Sequence, residues 1–385
     1  MEHWESQKTT YTEFMRQFLL ATGDFFPDGK GRPKHKRYWA ATKKWLWNVP
    51  IYNHMYDARV FKELLFEADW RKFKTTIGIA ACAVNPNQTI YLLNHNKGEY
   101  LAPDREPHAL WWNASDPDSE YVSAAHAAAI TAAIPLYFGG PFTKFKPRVD
   151  SEHSYPMVDG AITNNFHWNT HKSSYTVGFS THPQLMAEWQ PAKKWNVCNW
   201  WGVGLVAKAF NAVLFMMSDK MQDRQGFYLR EDFGSDQSRI LCELDGGSIR
   251  EQESLPSWID FASHTKEVCR VLVDRGILEG QKTWDNLDEV QKFELCIEGM
   301  GVVISGGGAD GYIQNGAFCG FETRRHEYYK KVVKPELEKV RASEGGDFEI
   351  KLGRVHAITG TSAGAINALV IGWVNDMWFG ENEEE

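Results

Sequence analysis

The chain has 385 residues, of which 43% are hydrophobic and 24% charged, an ordinary balance for a protein with a large buried core. Its net charge of −8 argues against general nucleic-acid binding, which rests on a basic face. The six cysteines, Cys82, Cys198, Cys242, Cys269, Cys296 and Cys319, show no CxxC pair and no Cys/His ligand spacing, and read as reduced, buried thiols in a cytosolic setting.

The first residues, MEHWESQKTTYTEF, lack the basic and apolar regions of a signal peptide. Residues 1–70 read as mostly helical, with loops near Pro27–Pro33 and Pro50. Lysines and arginines between Lys30 and Lys44 alternate with Tyr38 and Trp39, with Trp45 and Trp47 just beyond. That stretch reads as a solvated loop and helix face, the alternative being contact with anionic lipid headgroups. Thr75–Asn96 reads as a strand pair around Asn85-Pro86-Asn87, and Ser123–Phe138 as an alanine-rich helix that stops near Pro135. A short strand and YPMVDGAITNN, Tyr155–Asn165, follow.

Strands are expected at Tyr175–Phe179 and Ile240–Leu244, and a helix near His264–Arg275. The apolar run Trp200–Met217 is interrupted by Lys208 and Asn211 and reads as a buried or partly buried helix rather than a bilayer span. With 16 Trp, aromatic residues are abundant enough for a core or for a lipid-facing rim. Gln281–Glu294 is polar and reads as a surface connection. Beyond it the pattern is strand, glycine loop and helix, then the strand RVHAITG and the helix SAGAINALVIGWV. Two such units in sequence predict an α/β fold with a mainly parallel sheet. There are no internal repeats.

The run Gly306-Gly307-Gly308-Ala309-Asp310-Gly311 fits G-x-G-x-x-G, the pattern of a dinucleotide turn. A nucleotide-binding oxidoreductase would want an acidic residue at the end of the next strand. That strand ends instead in Gly360-Thr361-Ser362-Ala363-Gly364, the spacing of a nucleophile elbow, where small flanking residues let a strained strand-to-helix turn point a serine outward. Ser362 is the candidate nucleophile, with Gly360 and Gly364 as elbow glycines. Amides of Gly306, Gly307 and Gly308 are the candidate oxyanion hole, since backbone without Cβ can turn successive N–H groups inward. No histidine follows Ser362, so the Ser–acid–His order of α/β-hydrolases does not fit. Asp159, in Val158-Asp159-Gly160-Ala161 ahead of paired asparagines, is the preferred acid over Asp245 in a second Asp-Gly turn.

The SGGGADG loop, the GTSAG elbow and the DGA turn together resemble the patatin-like phospholipase family, as does the helix SAAHAAAITAAIPLYF. The resemblance covers about 70–170 and 297–378. It implies a three-layer α/β/α fold with a mainly parallel central sheet, and a Ser362–Asp159 dyad acting on lipid esters without cofactor or metal. The motif order departs from the family, in which the glycine loop and elbow precede the DG[GA] turn. Chain order therefore implies circular permutation of a single domain over 1–385. Residues 1–280 match the family's C-terminal part, 281–298 the junction and 299–380 its N-terminal part. Asp310 is a second departure, since the family has a basic residue there. The reading is a lipid acyl hydrolase, phospholipase A-type or lipase, cytoplasmic or peripheral at membranes. The alternative is a catalytically silent lipid-binding or scaffold protein.

Overall fold

The structure is a computed structural model that describes residues 69–84, 88–133, 143–148, 152, 154–163, 165–167, 170–181, 238–255, 266–344 and 350–381. The basic-aromatic stretch 30–47, the apolar run 200–217 and both chain ends lie outside the described residues.

A mixed, mostly parallel sheet organises the chain. Its strands are β1 Thr76–Ala83, β2 Gln88–Leu93, β3 Leu110–Asn113, β4 Thr143–Phe145, β5 Tyr155–Asp159, β6 Tyr175–Thr181, β7 Ser238–Leu244, β8 Met300–Ile304 and β9 Val355–Thr361. The order is β3-β2-β1-β9-β8-β6-β7, with β5 paired to β1 and β4 to β5. From β1 through β9, β8 and β6 to β7 every pairing is parallel, while β2 and β5 run antiparallel to β1. The inner strands β1, β6 and β8 are buried along their whole length, as parallel strands covered on both faces must be.

The helices are α1 Ala124–Thr131, α2 Gly246–Gln252, α3 Lys266–Asp285, α4 Glu289–Glu298, α5 Gly311–Tyr328, α6 Lys334–Glu344 and α7 Ala363–Glu381. Phe179 of β6 meets Phe318 and Phe321 of α5 edge-on, and Ile77 and Ile358 reach Gly372 of α7. Strand register puts those sheet residues on one face, so α5 and α7 share it. The other face carries Tyr91, Leu101 and Trp111, the 3-10 turn Pro103–Arg105 and the side chains of His167 and His171, which meet Thr361 and Thr359. Helical structure thus lies on both sides of the sheet, compatible with a three-layer arrangement.

Close helix packing has a sequence cause. Cβ atoms built on Gly276 and Gly280 of α3 would lie 2.1 and 1.9 Å from the carbonyl oxygens of Ile313 and Ala317, and on Gly316 and Gly320 of α5 2.1 Å from those of Val273 and Ile277. Two glycine pairs, each spaced by four, therefore let the two backbones touch. Between α5 and α6 the chain opens into a π turn, Tyr329–Val333. Pro335 accounts for it, because its ring lacks an N–H and crowds the carbonyl one turn back.

The reading of Gln281–Glu294 as a surface connection is corrected. Helix α3 runs on to Asp285, where Trp284 is buried. Asp288 then starts α4 with a capping box completed by Gln291. Polarity belonged to the outward helix faces, and only the short turn at 286–288 is a connection. The helix expected over Ser123–Phe138 is described only to Ala133, its last helical residue there being Thr131.

Candidate active site

Two strand ends meet along one edge of β1. Strand β9 runs parallel to β1 and ends with Thr361 opposite Ala80. Strand β5 runs antiparallel and ends with Asp159 opposite Ala81. β2 occupies the other edge of β1, so β9 and β5 approach head to head on this one. Register alone therefore brings Ser362 and Asp159 together across a long sequence gap, at the carboxyl ends of the parallel strands.

Ser362 has φ of 53°, in the left-handed region, where a residue other than glycine is strained by about 1–3 kcal/mol. Its surroundings enforce the turn. A Cβ on Gly360 would lie 2.3 Å from Gly364 O, and one on Gly364 would lie 2.4 Å from the carbonyl oxygens of Ile304 and Ser305. Gly360 is thus demanded by the first turn of α7 closing back on the end of β9, and Gly364 by contact between α7 and the end of β8. Thr131 adds a clamp: its Oγ1 accepts the Ser362 N–H at 2.9 Å and donates to Ala80 O at 2.5 Å.

Asp159 is 2% exposed. Its N–H donates to Ala133 O at 3.0 Å and its Oδ1 accepts the Ala161 N–H at 2.9 Å. A Cβ on Gly160 would lie 2.3 Å from Ala80 O, so the glycine after the acid is what lets this turn close on β1. Burial pushes the carboxyl up to about 7, against the opposing pull of the Ser362 hydroxyl and the Ala161 amide. The serine is thus near enough to act on the acid, while buried Oδ2 has no partner in good hydrogen-bond geometry. Such contacts commonly tighten when substrate binds. A carboxyl titrating near neutrality is matched to general-base work.

The glycine loop rises from β8 beside the serine: a Cβ on Gly306 would stand 3.1 Å from the Ser362 Cβ. Gly306 itself is held by Asn165, whose Oδ1 accepts the Gly306 N–H at 2.9 Å and whose Nδ2 donates to Gly306 O at 3.4 Å. Its amide is therefore already engaged. Gly308 takes φ of 55°, and among the described residues the N–H groups of Gly307 and Gly308 have no acceptor. The loop is braced from below. Gln314 Nε2 donates to Ser305 O at 2.7 Å and Ser305 Oγ accepts the Thr181 N–H at 3.1 Å.

The two Asp-Gly turns have separate jobs. Asp245 caps α2, its side chain accepting the Ser248 N–H at 2.8 Å, whereas Asp159 meets the serine. Asp310, the acid in the glycine loop, faces inward. It is 1% exposed, and its Oδ1 accepts from Arg250 Nη2 at 2.5 Å and Nε at 2.8 Å. Its charge is thus balanced by a guanidinium delivered from α2.

Sequence reasoning did not single out Thr131, Arg250 or His167, which bonds to the elbow. Thr131 lies in the alanine-rich helix but is not marked out there, Arg250 and His167 sit in no local motif, and each reaches the site only through tertiary contact. Among the described residues no group of three or more His, Cys, Asp or Glu side chains is placed to hold a metal ion, and no helix is long and apolar enough to cross a membrane. Five of the cysteines are buried and joined in no disulfide among the described residues, and Cys198 lies outside the described residues. Comparison of the chain with protein-family models, with curated proteins and with solved structures gives no match.

Proposed function

We propose that the protein is a serine acyl hydrolase that cleaves lipid esters through a Ser362–Asp159 dyad. The observation that carries this reading is a serine at φ 53° on a strand-to-helix elbow, beside a buried carboxyl pushed up to about 7. A strained, glycine-flanked serine next to an acid of tuned basicity is the arrangement that nucleophilic catalysis needs.

Ser362 Oγ attacks the ester carbonyl carbon as Asp159 takes its proton. Negative charge gathers on the carbonyl oxygen, where the N–H groups of Gly307 and Gly308 receive it. Gly306 shapes the loop, its own amide being held by Asn165. Collapse breaks the ester C–O bond, and Asp159 returns the proton to the departing alcohol. Water then attacks the acyl-enzyme with Asp159 again as base, releasing the acid and restoring Ser362. The chemistry asks for no metal or cofactor.

The lipid character of the ester rests on the resemblance of the three motifs to patatin-like phospholipases, as does the permuted chain order. Neighbouring placement of early and late segments supports that order. Asp376 of α7 accepts the Thr75 N–H at 3.0 Å and the Thr75 hydroxyl at 2.9 Å; in this reading the join lies within 281–298, which holds the end of α3, a short turn and α4.

Exposure of the purified protein to a fluorophosphonate, followed by peptide mass mapping, tests the reading. An adduct on Ser362, slowed about 100-fold or more in Asp159→Asn, is the expected result. No adduct in the presence of liposomes would overturn it and bring forward a silent lipid-binding protein.

A further inference from the structure

The dyad mechanism leaves one buried polar group beside the elbow unused. His167 is fully buried, yet both ring nitrogens are engaged. Nδ1 lies 2.7 Å from the Tyr91 hydroxyl and Nε2 lies 2.6 Å from Thr361 Oγ1. The Tyr91 ring stacks on Trp111 at 4.2 Å and meets the imidazole edge-on at 4.9 Å. The far end of the chain of contacts is therefore packed into the sheet, and its near end is the residue immediately before the nucleophile.

A neutral imidazole has one donor and one acceptor nitrogen, so the Tyr91 and Thr361 hydroxyls must point in a matched sense. Burial keeps His167 neutral, pushing it down to about 3. The elbow needs such a fixture. Strained backbone persists only where its surroundings over-determine it, and Ser362 is the strained residue here. Thr131 holds the Ser362 amide from the α1 side. Nothing in that contact fixes Thr361, whose side chain lies on the opposite sheet face from α7, where His167 waits.

We propose that His167 is a positioning residue: by gripping the Thr361 hydroxyl from a ring anchored on Tyr91, it holds Ser362 in its left-handed turn, aimed at Asp159 and the glycine loop. The catalytic consequence rests on the acyl-hydrolase reading, whereas the structural part stands without it.

The test compares wild type with His167→Phe, His167→Gln and Tyr91→Phe. Backbone hydrogen exchange across residues 359–364 and the rate of fluorophosphonate labelling of Ser362 are both read. In His167→Phe, elbow exchange is expected to quicken and labelling to slow, each about tenfold or more, with α3 and α5 protected as in wild type. His167→Gln, which still reaches Thr361 with a polar atom, recovers much of both. Wild-type exchange at the elbow in a folded His167→Phe overturns the proposal, whatever the labelling shows. If wild type itself resists the label, the acyl-hydrolase reading falls, and exchange alone still decides this one. Should His167→Phe lose protection throughout, the decision passes to Tyr91→Phe, which removes one hydroxyl. A rise confined to the elbow supports the proposal there, and an unchanged elbow overturns it.

Discussion

At Ser362 two demands compete: the hydroxyl must project from a tight turn, and that turn places a Cβ where only glycine is at ease. The φ of 53° measures the compromise. Glycine at this position would relax the backbone by about 1 kcal/mol relative to alanine. Ser362→Gly is therefore expected to unfold at a higher denaturant midpoint than Ser362→Ala, although both are inactive. Equal midpoints would mean that the elbow carries no strain. The neighbouring acid shows what a sequence can and cannot disclose. Asp159 and Asp245 sit in near-identical Asp-Gly turns after strands, and the asparagines after Asp159 were the only local difference. What separates them physically is that β5 ends against β1 where β9 also ends, while Asp245 starts a helix. Thr131, Arg250 and His167 left no local trace at all, because each acts through a contact more than fifty residues away in sequence.

At the level of elements, periodicity and glycine placement were informative where strands are buried on both faces. β1, β6, β8 and β9 were legible for that reason, β7 by its alternation of buried and exposed residues, β2 by the turn before it, and the helices by the glycine turns that precede them. The polar run Gln281–Glu294 was not, because an amphipathic helix with a charged outer face looks like a loop when its inward residues, Trp284, Leu287 and Phe293, are widely spaced. The glycines of α3 and α5 escaped notice for a related reason: their meaning lies in the partner helix. They divide into testable kinds. A methyl on Gly316 would lie 2.1 Å from the backbone oxygen of Val273, whereas one on Gly372 would meet only the tip of the Ile77 side chain at 2.5 Å. Gly316→Ala should force the helices apart and cost about 1–3 kcal/mol or more. Gly372→Ala can be absorbed by rotation of Ile77, and its gain in helix propensity, about 1 kcal/mol, leaves it neutral or stabilising. Urea unfolding of the two variants decides the matter, and equal losses would sink this account of the α3–α5 contact.

For the whole molecule, the buried acid ties catalysis to stability. Asp159 titrates at about 7 in the fold against a reference of 3.8, because burial penalises its charged form. Between those values the native state holds a proton that the unfolded chain has released, so stability falls as pH rises and levels off above about 7. The size of that fall is about 4 kcal/mol from this one group. Other acids raised by burial, the buried Asp310 and the half-buried Glu106 and Asp376, tilt the curve the same way, so the wild-type slope alone is ambiguous. Asp159→Asn removes only the one titration. Its stability relative to wild type should rise by about 4 kcal/mol between pH 4 and pH 8, measured by urea unfolding at several pH values. Serine labelling of wild type should increase over the same range, as the carboxyl becomes the base, while the asparagine variant stays slow throughout. Parallel stability curves for the two proteins would show that Asp159 is ionised at little cost, and would remove the physical reason for assigning it the proton transfer.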